Sequence, residues 1–383
     1  VNFLVLAASM CLAVGGVERQ FIFAPQDKHV HSSTIVQCPN GDLLAAWFYG
    51  SGERTANDVL IQGARKKAGD DQWSEVFLMA DTPDLPDCNP VLWIDETDRL
   101  WMHWIVPRAN RWERSILKHR ISSDYMGDIA PVWEWQDTII IDPGEGFAEE
   151  LRRGFVTLGV DEPMWSEYAP PYSSMLIEAA QDAVKRSEGW MTRTRLVTLP
   201  SGRIILPLYS DGYNISLVAY SDNNGRTWEA GGPIVGLGNI QPSVVLRSDG
   251  ALVAYMRDNG ELPKRIMQAV SEDGGESWTV ARDMDIPNPG SSVAVTDAGN
   301  GRWVMLCNDL EQTRRRMTAY VSQNEGRVWP GRLVLDESEG DESYGYPTVI
   351  AGEGGAIHTT YSYNGPEGAS IQYVSFMIED ILN

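Results

Sequence analysis

Apolar residues in this chain come in short blocks, each preceded by a tight polar turn and followed by a polar loop. One such unit recurs six times: PNGDLLAAWFYG (39–50), DETDRLWMHWIV (95–106), PSGRIILPLYSD (200–211), SDGALVAYMRDN (248–259), AGNGRWVMLCND (298–309) and GEGGAIHTTYSY (352–363). Short apolar runs bounded by turn residues read as strands. Their repetition over the whole molecule reads as a solenoid or propeller. Six units predict an all-β, six-bladed β-propeller. A single blade cannot hide both of its faces, so the ring must close. The sixth blade is expected to join the C-terminal strands to an N-terminal strand near residues 20–23.

A second repeat marks the turns. SDNNGRTW (221–228), SEDGGESW (271–278) and the degenerate SQNEGRVW (322–329) lie about 50 residues apart. In each, Ser comes first, Asp or Asn stands near the middle, Gly holds the corner and Trp is last. An Asx side chain caps backbone N–H groups, Gly takes φ > 0, and Trp pins the hairpin. Trp73 and Trp133 stand where the first two blades should carry the same turn without its pattern. One interval is too long: residues 142–189, between blades 2 and 3. Within it, SMLIEAAQDAVKR (174–186) places Met175, Ile177, Ala180 and Val184 on helical spacing. The expectation is a helical insertion that serves as a decorative loop or as a wall or lid over one end of the ring.

Composition narrows the setting. The 383 residues include 14 Trp, 14 Tyr and 36 Gly, which suits many short strands joined by tight turns. A net charge of −22 repels nucleic acid and anionic membranes, and an anionic substrate would need arginines gathered locally. Residues 1–16, VNFLVLAASMCLAVGG, resemble the apolar core of a secretory signal, too short to span a membrane. They predict a secreted or periplasmic protein without membrane insertion, its residues 17–383 forming one propeller domain and acting as a monomer. Cys11 lies in the signal-like segment; the remaining Cys38, Cys88 and Cys307 are scattered and odd in number, so they read as buried thiols. Five His, none in H-x₃-H spacing, predict no metal site, and no cofactor is expected.

The eight-residue turn resembles the Asp-box of sialidases and BNR-repeat proteins, S-x-D-x-G-x-T-W, and the resemblance to sialidases extends over nearly the whole chain. It implies a carboxylate-binding arginine triad, an Asp acid/base and a Tyr nucleophile assisted by Glu. Aligning the turn at 39–44 puts His31, in VHSST, at the first arginine position. The following loop, GSGERTAND, offers Glu53 and Asp58 for the acid/base. The match QPSVVLRSDGALVAYMR supplies Arg257 but has Gln241 where the assisting Glu belongs. Arg314, Arg315 or Arg316 could provide the third arginine, Arg316 being preferred. Tyr346, in SYGYPT, is the best match to the nucleophile, with Tyr344 second. The motifs GWMTR (189–193), MRDNG (256–260), IPNPGSS (286–292) and SYGYP (343–347) are closer to a divergent "predicted neuraminidase" branch.

The residues also argue for themselves. Arg257 and Arg265 flank a charged Gly/Pro loop, where a guanidinium fork suits a carboxylate or sulfate, or serves as glue between blades. Arg193 and Arg195 alternate onto one face. Trp112, with Arg114 beside it, could stack on a sugar or wedge a blade. Asn288 and Asn89 mark turns first and are offered as partners for sugar hydroxyls. A neutral amide such as Gln241 cannot take a proton near pH 7. His31 opposite Tyr346 would suit proton abstraction from a uronic acid, although a lone His on an apolar strand is more often a core residue. Three readings follow: an exo-acting, sialidase-like glycoside hydrolase on a terminal acidic sugar; a uronate polysaccharide lyase using His31 and Tyr346; and a glycan-binding propeller without catalysis.

Overall fold

Each apolar unit of the sequence becomes the second strand of a four-stranded antiparallel sheet. The computed structural model describes residues 16–159 and 172–382, and among these the strands form six such sheets. Blade 1 runs His29–Gln37, Leu43–Gly50, Leu60–Lys66 and Phe77–Ala80 from the axis outward. Blades 2 to 5 follow in chain order, their innermost strands beginning at Cys88, Val197, Asn239 and Ala294. Blade 6 takes Ser343–Ala351, Ala356–Gly365 and Gly368–Met377, then closes with Glu18–Phe21 from the other end of the chain. That strand pairs antiparallel with Gly368–Met377, Glu18 opposite Ser375 and Phe21 opposite Gln372. The ring is therefore locked by strands from both ends of the sequence. The signal-like stretch, apart from Gly16, lies outside the described residues.

The core is not one mass but six seams, one between each pair of neighbouring blades. Trp47 and Ala45 of blade 1 pack on Ile371 and Tyr373 of blade 6. Leu44 and Ala46 meet Leu92 and Met102 between blades 1 and 2. Ile205 and Val218 meet Leu252 and Ala254 between blades 3 and 4, Tyr255 meets Trp303 between 4 and 5, and Leu306 meets Ile357 between 5 and 6. The largest cluster fills the seam of blades 2 and 3 and extends into the insertion. Nearer the axis, hydroxyls tie blade to blade. Thr34 Oγ1 accepts from Leu92 N at 3.0 Å, Ser243 Oγ accepts from Val295 N at 2.9 Å, and Thr348 Oγ1 donates to Ser33 O at 2.7 Å.

The three Ser-to-Trp turns share one geometry. Ser221, Ser271 and Ser322 each accept through Oγ from the backbone N–H of Gly225, Gly275 and Gly326 at 2.9 Å. Asn223, Asp273 and Asn324 accept from the N–H four residues on. Gly225 is required twice over: its φ is +76°, and an added Cβ would lie 2.7 Å from the Trp101 indole. Two of the closing tryptophans reach the preceding blade, Trp228 against His103 and Trp329 against Tyr255. The tryptophan therefore pins a seam and not merely its own hairpin.

The described residues of the insertion between blades 2 and 3 hold three helices: α1 (Phe147–Leu158), α2 (Tyr172–Gln181) and α3 (Ala183–Ser187). The sequence pattern predicts one helix over 174–186, and the chain breaks it at Asp182, which caps α3 through Val184 N and Lys185 N. The buried face is Tyr172, Ser173, Leu176 and Ala180, while Met175 and Val184 are exposed. The first helix has no counterpart in the sequence reading.

One seam holds an unpaired buried histidine. His103 is fully buried against the rings of Trp101 and His119, which also stack on each other, with no protein partner for either ring nitrogen. Burial, then the neighbouring His119, pushes its pKa well below the ordinary value, so the folded protein keeps it neutral. Below about pH 6.5 the unfolded chain gains a proton there that the folded chain refuses, and stability falls with pH by up to about 1.4 kcal/mol per pH unit. Replacing His103 by Phe should flatten the fall in Tm between about pH 7 and pH 5. Thermal melts across that range check this, and an unchanged slope contradicts it.

Candidate functional site

The propeller places one feature of its inner strands at the axis. In blades 1, 2, 4 and 6 the pairing of the innermost strand slips, between His31 and Thr34, Cys88 and Val91, Ile240 and Ser243, and Gly345 and Thr348. At each slip a residue other than glycine is left-handed: Ser32 (φ 58°), Asn89 (49°), Gln241 (60°) and Tyr346 (55°). Such backbone strain is held only where the surroundings over-determine it, and it concentrates at functional positions. Three of the four precede proline, which cannot donate to the ladder.

Antiparallel pairing brings the start of the first strand, the end of the second and the start of the third to one face of the ring. Side chains from all six blades meet there. Tyr346 (blade 6) accepts through its phenol oxygen from Arg257 (blade 4) at 2.9 Å and from Gln241 Nε2 at 3.5 Å. Gln241 Oε1 accepts from the same Arg257 nitrogen at 3.5 Å, and Arg257 also donates to Asn259 at 3.2 Å. His31 (blade 1) lies with its ring centre 4.0 Å from that of Tyr346. Arg193 (blade 3) and Arg314, just before the third strand of blade 5, stand 5.2 and 5.5 Å from the Tyr346 ring centre. Tyr209 (blade 3) accepts from Asn89 Nδ2 (blade 2) at 3.1 Å and from Gln241 Nε2 at 3.4 Å.

The electrostatics are unbalanced. Arg193 is 1% exposed, and its single hydrogen bond is to Pro347 O across the axis at 3.1 Å, leaving Nε and Nη1 without a protein partner. Arg314 donates to Gly290 O at 2.9 Å. Among the described residues none of Arg193, Arg257 and Arg314 forms an ion pair. Burial lowers Arg193 to about 10, and lowers Arg314, which the charge of Arg257 pushes further down. Burial and then the surrounding cations hold His31 neutral, well below its ordinary value. Burial works to raise the Tyr346 phenol, but Arg257, Arg314 and the Gln241 N–H outweigh it, and the net direction is downward. Tyr209 goes the other way, raised by burial and by Asp211. Buried guanidiniums with free N–H groups suit a planar anion such as a carboxylate.

A family model for BNR repeat-like domains matches residues 41–172 and 180–359. The chain belongs to this family. A sialidase of Micromonospora viridifaciens is 34% identical over 167 residues, a stretch that takes in 41% of this chain and 24% of the relative. The chain thus matches about a quarter of that relative's length. A structure of a Dyadobacter fermentans protein of unknown function superposes with a TM-score of 0.68 at 17% identity, over 95% of this chain and all of the other. The NanB sialidase of Streptococcus pneumoniae gives 0.68 at 11% identity, over 94% of this chain and 71% of the other. A leech intramolecular trans-sialidase gives 0.67 at 13% identity, over 98% and 71%. These likenesses establish a sialidase-type propeller for this BNR repeat-like protein.

Of the residues singled out in the sequence, His31, Arg193, Gln241, Arg257 and Tyr346 gather at the axis. Glu53 stands at their edge, 4.0 Å from His29, close enough for its charge to act on Tyr346 and Arg314. Asp58 turns away: Ser51 donates to it through Oγ at 2.6 Å and N at 2.9 Å, with Lys28 at 3.2 Å, and these hold it down to about 2. Arg316 is not the axial arginine. It pairs with Asp309 and Glu337 in the blade, and Arg314 takes the axial place. Arg265 is paired to Glu311, and Arg114, 58% exposed, to Glu188. Trp112 is buried with Arg54 over its face at 4.3 Å, so it is a wedge with no free face for a sugar. Asn288 spends both ends of its amide on its own turn, with Gly290, Ser291 and the Ser291 carbonyl. Tyr344 packs against Tyr361 and Tyr363.

Tyr209 escaped the sequence reading, although the repeat carries its signal. It occupies the tenth place of PSGRIILPLYSD, as Arg257 does in SDGALVAYMRDN. The connection from the fourth strand to the next blade also emerges on this face, so the insertion rises beside the site. Tyr172 of α2 donates to Tyr213 O at 3.0 Å, and Phe147 of α1 packs on Trp190 and Tyr213. The described helices buttress blade 3 next to Tyr209.

Mutual repulsion of the axial arginines makes a direct prediction. Arg314→Gln removes one of three crowded cations and should raise the Tm of the ligand-free protein, a gain of up to about 1 kcal/mol. A thermal melt reads this, and a lower Tm would contradict the picture of an unneutralised site.

Proposed function

We propose that this BNR repeat-like protein is an exo-acting glycoside hydrolase that releases a terminal acidic sugar from a glycan. The observation that carries the reading is the Tyr346 phenol at the axis, bonded to Arg257 at 2.9 Å and ringed by Arg193, Arg314 and His31. The guanidiniums would hold the sugar carboxylate and fix the anomeric carbon over the Tyr346 oxygen. Tyr346, as its phenolate, would attack that carbon while Glu53 gives its proton to the departing glycosidic oxygen. Glu53 would then take a proton from water, which displaces the tyrosine and restores both groups. The free sugar carries the added water.

One observation favours a second reading. His31 touches the Tyr346 ring, and Gln241 stands where a carboxylate would assist a tyrosine nucleophile. A lyase would use Tyr346, as its phenolate, to remove the proton beside a uronate carboxylate that the arginines neutralise, and would return that proton to the glycosidic oxygen, which leaves without water. Its product is lighter than the hydrolytic one by one water.

Incubation with glycans ending in sialic or uronic acids, with products weighed by mass spectrometry, separates the readings. Hydrolysis predicts a released acidic sugar with water added. Tyr346→Phe should lower turnover by about a thousandfold or more, and Glu53→Gln by about a hundredfold or more, with the Tm nearly unchanged. Normal turnover in the Phe variant removes Tyr346 from the mechanism. An unsaturated product transfers the protein to the lyases.

A further inference from the structure

A tyrosine serves as a nucleophile only as its phenolate, and the proton has to go somewhere. The residue facing the Tyr346 oxygen from blade 4 is an amide, Gln241, oriented with Nε2 toward the phenols of Tyr346 and Tyr209 and Oε1 toward Arg257. A carboxylate there would accept the proton, whereas the amide can only donate to the oxygen that has lost it. Every other group facing Tyr346 can be placed. Arg257 donates to the phenol oxygen, and Arg193 and Arg314 stand over the ring. His31 is enclosed by the same cations and by His29, a setting that opposes its taking a proton. Tyr209 is fully buried and holds its own proton. Glu53 acts on Tyr346 only through space, since no hydrogen bond joins the two among the described residues.

We propose that Arg257 and Arg314 replace a carboxylate base as the groups that ionise Tyr346: its proton passes to water, and the phenolate left behind is held by N–H groups of Arg257 and Gln241. The step balances as a phenol and a water giving a phenolate and a hydronium ion. Gln241 is a positioning residue here. It orients Arg257 through Oε1 and the phenolate through Nε2, and its left-handed backbone at the strand slip aims the amide into the axis. The purpose of the device rests on the hydrolase reading given above, but its test does not.

The test is a pH titration of the resting protein labelled with ¹³C at the tyrosine ζ-carbon, the Tyr346 signal being assigned by its loss in Tyr346→Phe. The wild-type signal should move to the phenolate position at lower pH than free tyrosine does. Arg257→Met, and separately Arg314→Gln, should each weaken the ionisation by about tenfold or more. The Gln variant, expected to melt no lower than the wild type, decides the matter if the Met variant does not fold. A Tyr346 signal that titrates with or above free tyrosine overturns the proposal. So does a low titration that neither variant moves. Low titration without product from any acidic glycan would sink the hydrolase reading and leave this one standing, and product with ordinary titration would do the reverse.

Discussion

Both faces of every blade are apolar, and only a neighbouring blade can cover them. The seams between blades hold the core, so the fold exists as a closed ring or not at all. Closure depends on Glu18–Phe21 completing blade 6 from the far end of the chain. It also determines the chemistry. Six blades converging on one axis bring His31, Asn89, Arg193, Gln241, Arg314 and Tyr346 together from positions spread over most of the sequence. The slips in those strands turn Gln241 and Tyr346 into the axis at a backbone cost that a free hairpin would not sustain.

The site opposes the field of the whole molecule. A chain of net charge −22 gathers three guanidiniums around one phenol, and among the described residues none of them pairs with a carboxylate. Such an arrangement costs stability and is tolerated where an anionic ligand supplies the missing charge. Burial keeps His31 neutral and the crowded cations add to it, and the same cations favour loss of the Tyr346 proton.

Much of the fold was legible because its signals are local and repeated. The six turn-and-strand units name the second strand of every blade, and the Ser-to-Trp turns name the outer hairpins of three. The closing strand was expected at 20–23 and lies at Glu18–Phe21. The site was legible in part. Tyr346, Arg257 and His31 sit at register positions that the repeats define. The choice of Arg316 over Arg314 failed because the residues lie two apart and only packing tells them apart: Asp309 draws one into the blade and Gly290 O holds the other at the axis. Asn288 and Trp112 misled for a related reason. A polar turn residue can satisfy itself locally, and a tryptophan in a loop can be covered from above by an arginine. The first insertion helix was missed although Phe147, Ala148, Leu151 and Phe155 stand on helical spacing, in a run that Gly154 interrupts.

The central claim is that the axial arginines exist to hold a carboxylate on a sugar. Its most direct measurement is the affinity of the protein for an acidic monosaccharide compared with the same sugar whose carboxyl has been reduced to an alcohol, by calorimetry at one ionic strength. The account predicts that the acid binds and that reduction weakens binding by about thirtyfold or more, with most of the difference lost in Arg193→Met. Equal affinity for acid and alcohol would contradict it.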